Sequence, residues 1–196
     1  MITERLEKQI DFIVTIDALK DIYRQTITTQ SKRRENDAEH SWHLAVMAML
    51  LAEYAEEEID VLRVIKMVLV HDLVEIYAGD TFCYDEKGNE DKEEREKEAA
   101  DRLFSILPED QAQEFMGLWR EFEEMESKEA AFAATLDRFQ PLLLNYNTNG
   151  HTWQKPGVTI AKVYKRTEIA KQKVPKLYEY IEKLIQNSVE LGILRP

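Results

Sequence analysis

Four histidines occur in the 196-residue chain: His40, His43, His71 and His151. His71 is followed by Asp72 in the string VLVHDLVEIYAGD, which places a carboxylate inside a strongly apolar segment. A buried carboxylate is costly unless it is paired or metal-bound. His71 and Glu75 are four residues apart, and Asp72 and Glu75 are three apart. On a helix these spacings put Glu75 on the flank shared by both. His40 lies in ENDAEHSWHLAV, and Asp137 in AATLDRFQPLLL is a second carboxylate within an apolar helix. Two histidines and two aspartates from three helices are a donor set for a divalent transition metal, with places left for water and substrate. Helical bundles build such sites from facing side chains. Each residue alone has a plainer reading: His71 as a core histidine satisfied by a carbonyl, Asp137 as a partner of Arg138, His40 as structural. His43 is read in that plainer way.

Taken in order, the set His40, His71-Asp72, Glu75, Asp80 and Asp137, in the strings RRENDAEHSW, LVHDLVEIYAGD and LDRFQPLLLNY, resembles the HD-domain metal-dependent phosphohydrolases. Within that superfamily it is most similar to the small single-domain branch that includes the 5′-deoxynucleotidases. The resemblance runs from about residue 10 to 180. It implies an all-α helical bundle of the HD-domain type, with His40, His71, Asp72 and Asp137 as metal ligands. Glu75 matches the catalytic acidic residue. Asp80 matches a second acid that positions substrate or transfers a proton. Arg33, or its neighbour Arg34, is expected to contact phosphate, because guanidinium forks suit phosphate oxygens. Relatives carry an Arg-Trp pair before the first histidine. Here those positions hold Gln25 and Thr26, with Arg24 displaced by one. Two-metal branches use additional histidines, and neither His43 nor His151 sits in a matching string, so one divalent ion is expected (Co, Mn, Zn, Fe, Ni or Mg, which His/Asp donors do not distinguish). The ion would polarise a phosphoryl oxygen and activate water, with Glu75 or Asp80 handling the proton. The implied reaction is hydrolysis of a small phosphomonoester, best a (deoxy)nucleoside 5′-monophosphate, by a possible homodimer. The alternatives are a nucleotide pyrophosphohydrolase or phosphodiesterase with the same metal site, or a non-catalytic helical module with a structural metal.

The elements must bring these residues together. Gly and Pro number 6 and 5, too few for the many turns of an all-β fold, so helices are expected. Hydrophobic residues make up 44%, which excludes a disordered chain. With 38 acids against 26 bases the net charge is −12. That disfavours nucleic acid and anionic membrane as partners and requires a local cationic approach for an anionic substrate. Cys83 is the one cysteine, so no disulfide or cysteine-based zinc site is available. No secretory core and no membrane-length apolar run are seen, and a cytoplasmic protein is expected.

Apolar periodicity predicts helices over residues 2–23, 38–57 (capped by Asp37) and 60–76 (capped by Asp60). Gly79 ends the third. Loops are expected over 26–36, 81–90 and 145–157. Further helices are expected from the charged run at 90–98 through Leu107, from Pro108 to about 126, over 128–144, and over 158–191 with a kink or break at Pro175. The 145–157 loop is read as a surface or dimer loop in preference to a cover for a nucleobase. The basic stretch 162–176 and the charged run at 90–98 are read as solvated faces. Cys83 receives no catalytic role. No linker or repeat divides residues 1–196, so one domain is expected.

Overall fold

The computed structural model describes residues 3–196. Among them, nine α-helices surround a tenth, the central α7 (Lys128–Asn147), and the one sheet is a two-stranded hairpin. Thr3 caps α1 (Glu4–Ile16) by accepting from the Leu6 amide. The first expected residue of that helix, Ile2, lies outside the described residues. α1 stops earlier than its pattern predicts. A 3-10 turn (Asp17–Asp21) leads into β1 (Tyr23–Ile27), which pairs antiparallel with β2 (Arg34–Asn36). The expected loop at 26–36 is therefore mostly hairpin. Phe12 anchors α1 to the bundle edge-on to Phe115, at a centroid distance of 5.4 Å.

α2 (Asp37–Leu51) begins one residue earlier than expected. Asn36, not Asp37, is its cap: the Asn36 side chain accepts from the Glu39 amide (2.9 Å) and the Glu39 carboxylate accepts from the Asn36 amide (3.2 Å). This reciprocal pair satisfies two otherwise orphaned helix-start donors. It leaves the Asp37 carboxylate free to turn inward, where it is fully buried. Asp60 caps α3 (Val61–Val70) as expected, accepting from the Arg63 amide at 3.1 Å.

The chain does not continue as one α-helix to residue 76. It tightens into a 3-10 turn over His71–Val74 and relaxes into α4 (Glu75–Ala78), which Gly79 ends with φ 77°. α5 (Lys92–Phe104) and α6 (Glu109–Glu124) pack over this turn. α7 is capped by Ser127, which accepts from the Ala130 amide. Most of its residues are buried, including Phe132, Leu136 and Phe139, each worth about 1.5–3 kcal/mol when fully withdrawn from water.

The last expected helix is broken twice, at Thr167 and at Val174-Pro175, into α8 (Ile160–Arg166), α9 (Glu168–Lys173) and α10 (Pro175–Glu190). Pro175 starts α10, where its missing amide donor costs nothing. The buried Thr167 hydroxyl donates back to the Val163 and Tyr164 carbonyls, the local bonding that competes with regular helix. The 145–157 segment is not a loose surface loop: Trp153 is a core residue, and Asn145, Thr152 and Trp153 line a cavity. Gly150 (φ 70°) is packed so close to the Ile193 carbonyl that a Cβ there would lie 2.1 Å from its oxygen. No helix among the described residues is long and apolar enough to cross a membrane.

Candidate metal centre

Three helical segments and the hairpin bring their polar side chains together at the middle of α7. His40 comes from the first turn of α2, His71 and Asp72 from the 3-10 turn, and Asp137 from the middle of α7. All four are buried. The His40 Nε2 is 3.2 Å from Asp137 Oδ1 and 4.0 Å from Asp72 Oδ2. The His71 Nε2 is 3.1 Å from Asp72 Oδ1 and 3.9 Å from Asp137 Oδ1. For donors about 2.0–2.1 Å from one ion, tetrahedral edges are about 3.3 Å; the 3.1 and 3.2 Å separations match that edge, and those of 3.9 and 4.0 Å are longer.

The tautomer of His71 strengthens this fit. Its Nδ1 lies 2.9 Å from the Val68 carbonyl oxygen, which can only accept, so Nδ1 carries the proton. Nε2 is then the ring atom turned toward the site. It is buried without a hydrogen-bond partner and faces carboxylate oxygens. An imidazole nitrogen grouped with buried carboxylate oxygens is a donor set that a cation would satisfy. The Val68 carbonyl is also the kind of outer support that ligating histidines use. On the Nδ1 side of His40 the neighbouring group is Glu35, a buried carboxylate 3.9 Å away and beyond hydrogen-bond reach, so Nδ1 is itself without a partner. Gln140 (2.6 Å) and Thr26 (3.2 Å) donate to Glu35. Burial, then the nearby Arg24 charge, push the His40 imidazole below its ordinary value, which keeps it neutral as a ligand must be.

Charges in the cluster are sharply sorted. Burial alone would raise Asp137, but the His40 hydrogen bond and the charge of Arg166 outweigh it and hold the carboxyl well below the ordinary range. Asp72 is likewise lowered, since His71, Arg24 and His40 overcome its burial. Glu75 goes the other way: burial, then Asp72 and Asp37, hold it well above the carboxylate range. Burial and Asp72 push Asp37 up to about 7. Asp80 lines the cavity and is raised chiefly by burial. Atoms of Asp37, Asp72 and Glu75 lie within 4.8 Å of one another, and one oxygen each of Asp37 and Glu75 is buried without a partner.

Arg24 is the counter-charge to this group. Its guanidinium donates to Asp72 (2.8 Å) and Asp37 (3.2 Å) and approaches Asp137 at 3.9 Å. The structure does not bring Arg33 or Arg34 to the cavity. Arg33 forks onto Glu39 at 2.6 and 2.8 Å on the surface, and Arg34 donates to the Arg24 and Tyr23 carbonyls across the hairpin. The cavity's cations are instead Arg24, Lys92, Arg138 and Arg166. Lys92 and Arg166 fall in runs whose composition suggests solvated faces. Arg138, adjacent to Asp137, and Arg24, one position from the relatives' Arg-Trp pair, carried a sequence signal. His43 meets Gln140, and His151 is exposed.

A family model described as HD domain matches residues 16–178. Human 5′-deoxynucleotidase HDDC2 is 32% identical over 135 residues, 68% of this chain and 65% of its own length, so the match spans just under two thirds of that relative. A crystal structure of a predicted metal-dependent phosphohydrolase from Magnetospirillum magnetotacticum superposes with a TM-score of 0.94 at 53% identity and covers all of both chains. A conserved hypothetical protein from Pyrococcus furiosus gives a TM-score of 0.62 at 27% identity, covering 89% of this chain and 98% of its own.

Proposed function

The chain belongs to the HD-domain family, and from that premise we propose that it is a metal-dependent phosphohydrolase acting on a small phosphomonoester, a deoxynucleoside 5′-monophosphate by preference. The observation that carries this reading is the convergence of His40, His71, Asp72 and Asp137, with the buried, unpartnered His71 Nε2 facing both aspartates. The name of the human relative and that of the Magnetospirillum structure support the reaction class. A divalent ion held by these four side chains would supply Lewis-acid charge to a phosphoryl oxygen.

The chain's own groups do the rest. Arg24 keeps Asp72 ionised and fixes its direction. Glu75 is buried one turn beyond His71 and lines the same cavity; as the carboxylate it is placed to accept a proton from the attacking water. Asp80, raised by burial on the same cavity wall, donates a proton to the departing ester oxygen. A structural metal site has no use for two spare acids beside it, which argues against a purely structural ion.

The test is phosphate release from a panel of ribo- and deoxynucleoside 5′-monophosphates with each of several divalent ions, run beside His71→Ala. The expected result is metal-dependent release that His71→Ala abolishes, with deoxynucleotides faster. Release from none of the panel with any ion would refute the reaction, and equal rates for ribo and deoxy substrates would refute the sugar preference.

A further inference from the structure

We propose that Arg138 and Arg166 form a two-arginine clamp for the phosphate of the substrate, reached through a cationic channel that continues to Lys162 and Lys165. This rests on the reading of the cavity as a phosphohydrolase site and names its recognition element.

The two guanidinium groups come from different helices, α7 and α8, and converge on the same carboxylate oxygen. Arg138 is 3.6 Å and Arg166 is 3.5 Å from Asp137 Oδ2, whereas Asp137 Oδ1 faces His40 and His71. One negative charge thus stands against two positive ones, and that charge is also committed to the metal ligands. Arg138 has further partners in the Ala134 carbonyl (2.9 Å) and the Met125 sulfur (3.2 Å). Arg166 makes no hydrogen bond among the described residues, although it is only partly exposed and lines the cavity. A partly exposed guanidinium held only by this 3.5 Å ion pair keeps N–H donors for a second anion.

The other arginines near the site are not free to serve. Arg24 is held by Asp72 and Asp37. Arg33 is bound to Glu39, and Arg34 to backbone carbonyls. Outward from the clamp, Arg138 and Arg166 also line a second groove with Lys162 and Lys165, where Glu86 is the acid, paired to Lys162 at 2.8 Å. In a chain of net charge −12, this wall supplies the local positive approach that a dianionic phosphate needs. Thr167 makes it possible: by ending α8, it leaves Arg166 at the cavity rather than on a continuous solvated helix face.

The experiment is calorimetric titration of inorganic phosphate into the full chain reconstituted with Co(II), with metal content measured for every variant. Arg166→Gln is expected to weaken phosphate binding about tenfold or more, the loss of a charge-assisted pair. Arg166→Lys should recover only part, since an ammonium lacks the fork. Arg138→Gln should weaken binding in the same direction. Lys171→Gln, which removes one charge from exposed α9, should stay within about twofold of wild type. Unchanged affinity in Arg166→Gln with metal retained overturns the clamp. An equal loss in Lys171→Gln, or loss of the metal itself in Arg166→Gln, also overturns it, the latter by reducing Arg166 to a counter-charge for Asp137. Wild-type chain that binds phosphate through Arg166 yet hydrolyses no nucleotide would support the clamp and remove the reaction.

Discussion

Replacing Arg24 by Met tests whether the buried carboxylates are held by charge rather than by packing. Arg24 donates to Asp72 at 2.8 Å and Asp37 at 3.2 Å, and stands 3.9 Å from Asp137. Its side chain is 12% exposed, and those of Asp37 and Asp72 are 0% and 10%. Removing one partner of a buried ion pair costs about 3–5 kcal/mol, because the remaining charge is left without compensation. For a chain of this size about 2–4 °C of melting temperature accompanies each kcal/mol. The EDTA-treated Arg24→Met protein should therefore melt roughly 6–20 °C below the EDTA-treated wild type. A divalent ion replaces much of the missing positive charge, so added metal should raise the variant's melting temperature by more than the wild type's. The assay is scanning calorimetry on both proteins, with and without metal, which forms a thermodynamic cycle between the arginine and the ion. A variant melting within about 2 °C of wild type in EDTA, or gaining no more from metal than wild type does, would show that the guanidinium is not the group balancing these carboxylates.

Glu75→Gln should retain the metal and lose turnover by about 10²–10⁴-fold, the usual worth of a general base; turnover near wild type with metal bound would remove Glu75 from the chemistry. Glu35→Gln should weaken metal binding about 10–100-fold, as losing the group behind a ligating histidine does, and a competition titration against a metallochromic chelator reads this directly. If affinity holds, His40 is oriented by packing alone. Asp37 is raised from 3.8 to about 7 by burial and Asp72. Such a carboxyl favours the folded state below its unfolded value and forfeits that contribution as pH climbs through the folded one. The urea midpoint of metal-free Asp37→Asn should consequently gain on wild type between about pH 4 and 7, and parallel curves over that window would contradict the assigned burial.

The proposed ligands were readable as candidates because each stands as a polar exception in an apolar string. His71-Asp72 interrupts VLVHDLV, and Asp137 interrupts AATLDRF. The place of Arg24 in the site was not readable, because it depends on a strand that shows little alternation: YRQTI has no apolar face to mark it, and β1 exists through pairing with β2. Asp37 was hidden by its own suitability as a cap. The true cap lies one residue earlier because Asn36 and Glu39 form a closed pair, and that one-residue shift turns a helix-end group into a buried member of the site. Arg166 was obscured in a basic run that looks like a solvated face. Only the break at Thr167, marked by neither Gly nor Pro, separates it from the exposed lysines that follow.

The local conformation at His71 bears on whether this cluster is a site or merely a packed end of the bundle. A continuous α-helix would rotate Glu75 about 60° away from Asp72. In a 3-10 turn, residues three apart eclipse one another, and the chain adopts that turn over His71–Val74, directly before Glu75. Asp72 and Glu75 are thereby brought onto one edge, with Asp37 delivered opposite them by α2, and their oxygens approach within 4.8 Å. This arrangement gathers carboxyl groups that raise one another's proton affinity and leaves buried oxygens without partners. Regular helix would have left Asp72 and Glu75 on neighbouring flanks, and the 3-10 turn draws them closer still. A backbone that tightens to crowd acids beside His40 and His71 fits the proposed reading of a site built for a positive charge, and the open cavity in front of them would give that charge access to a substrate.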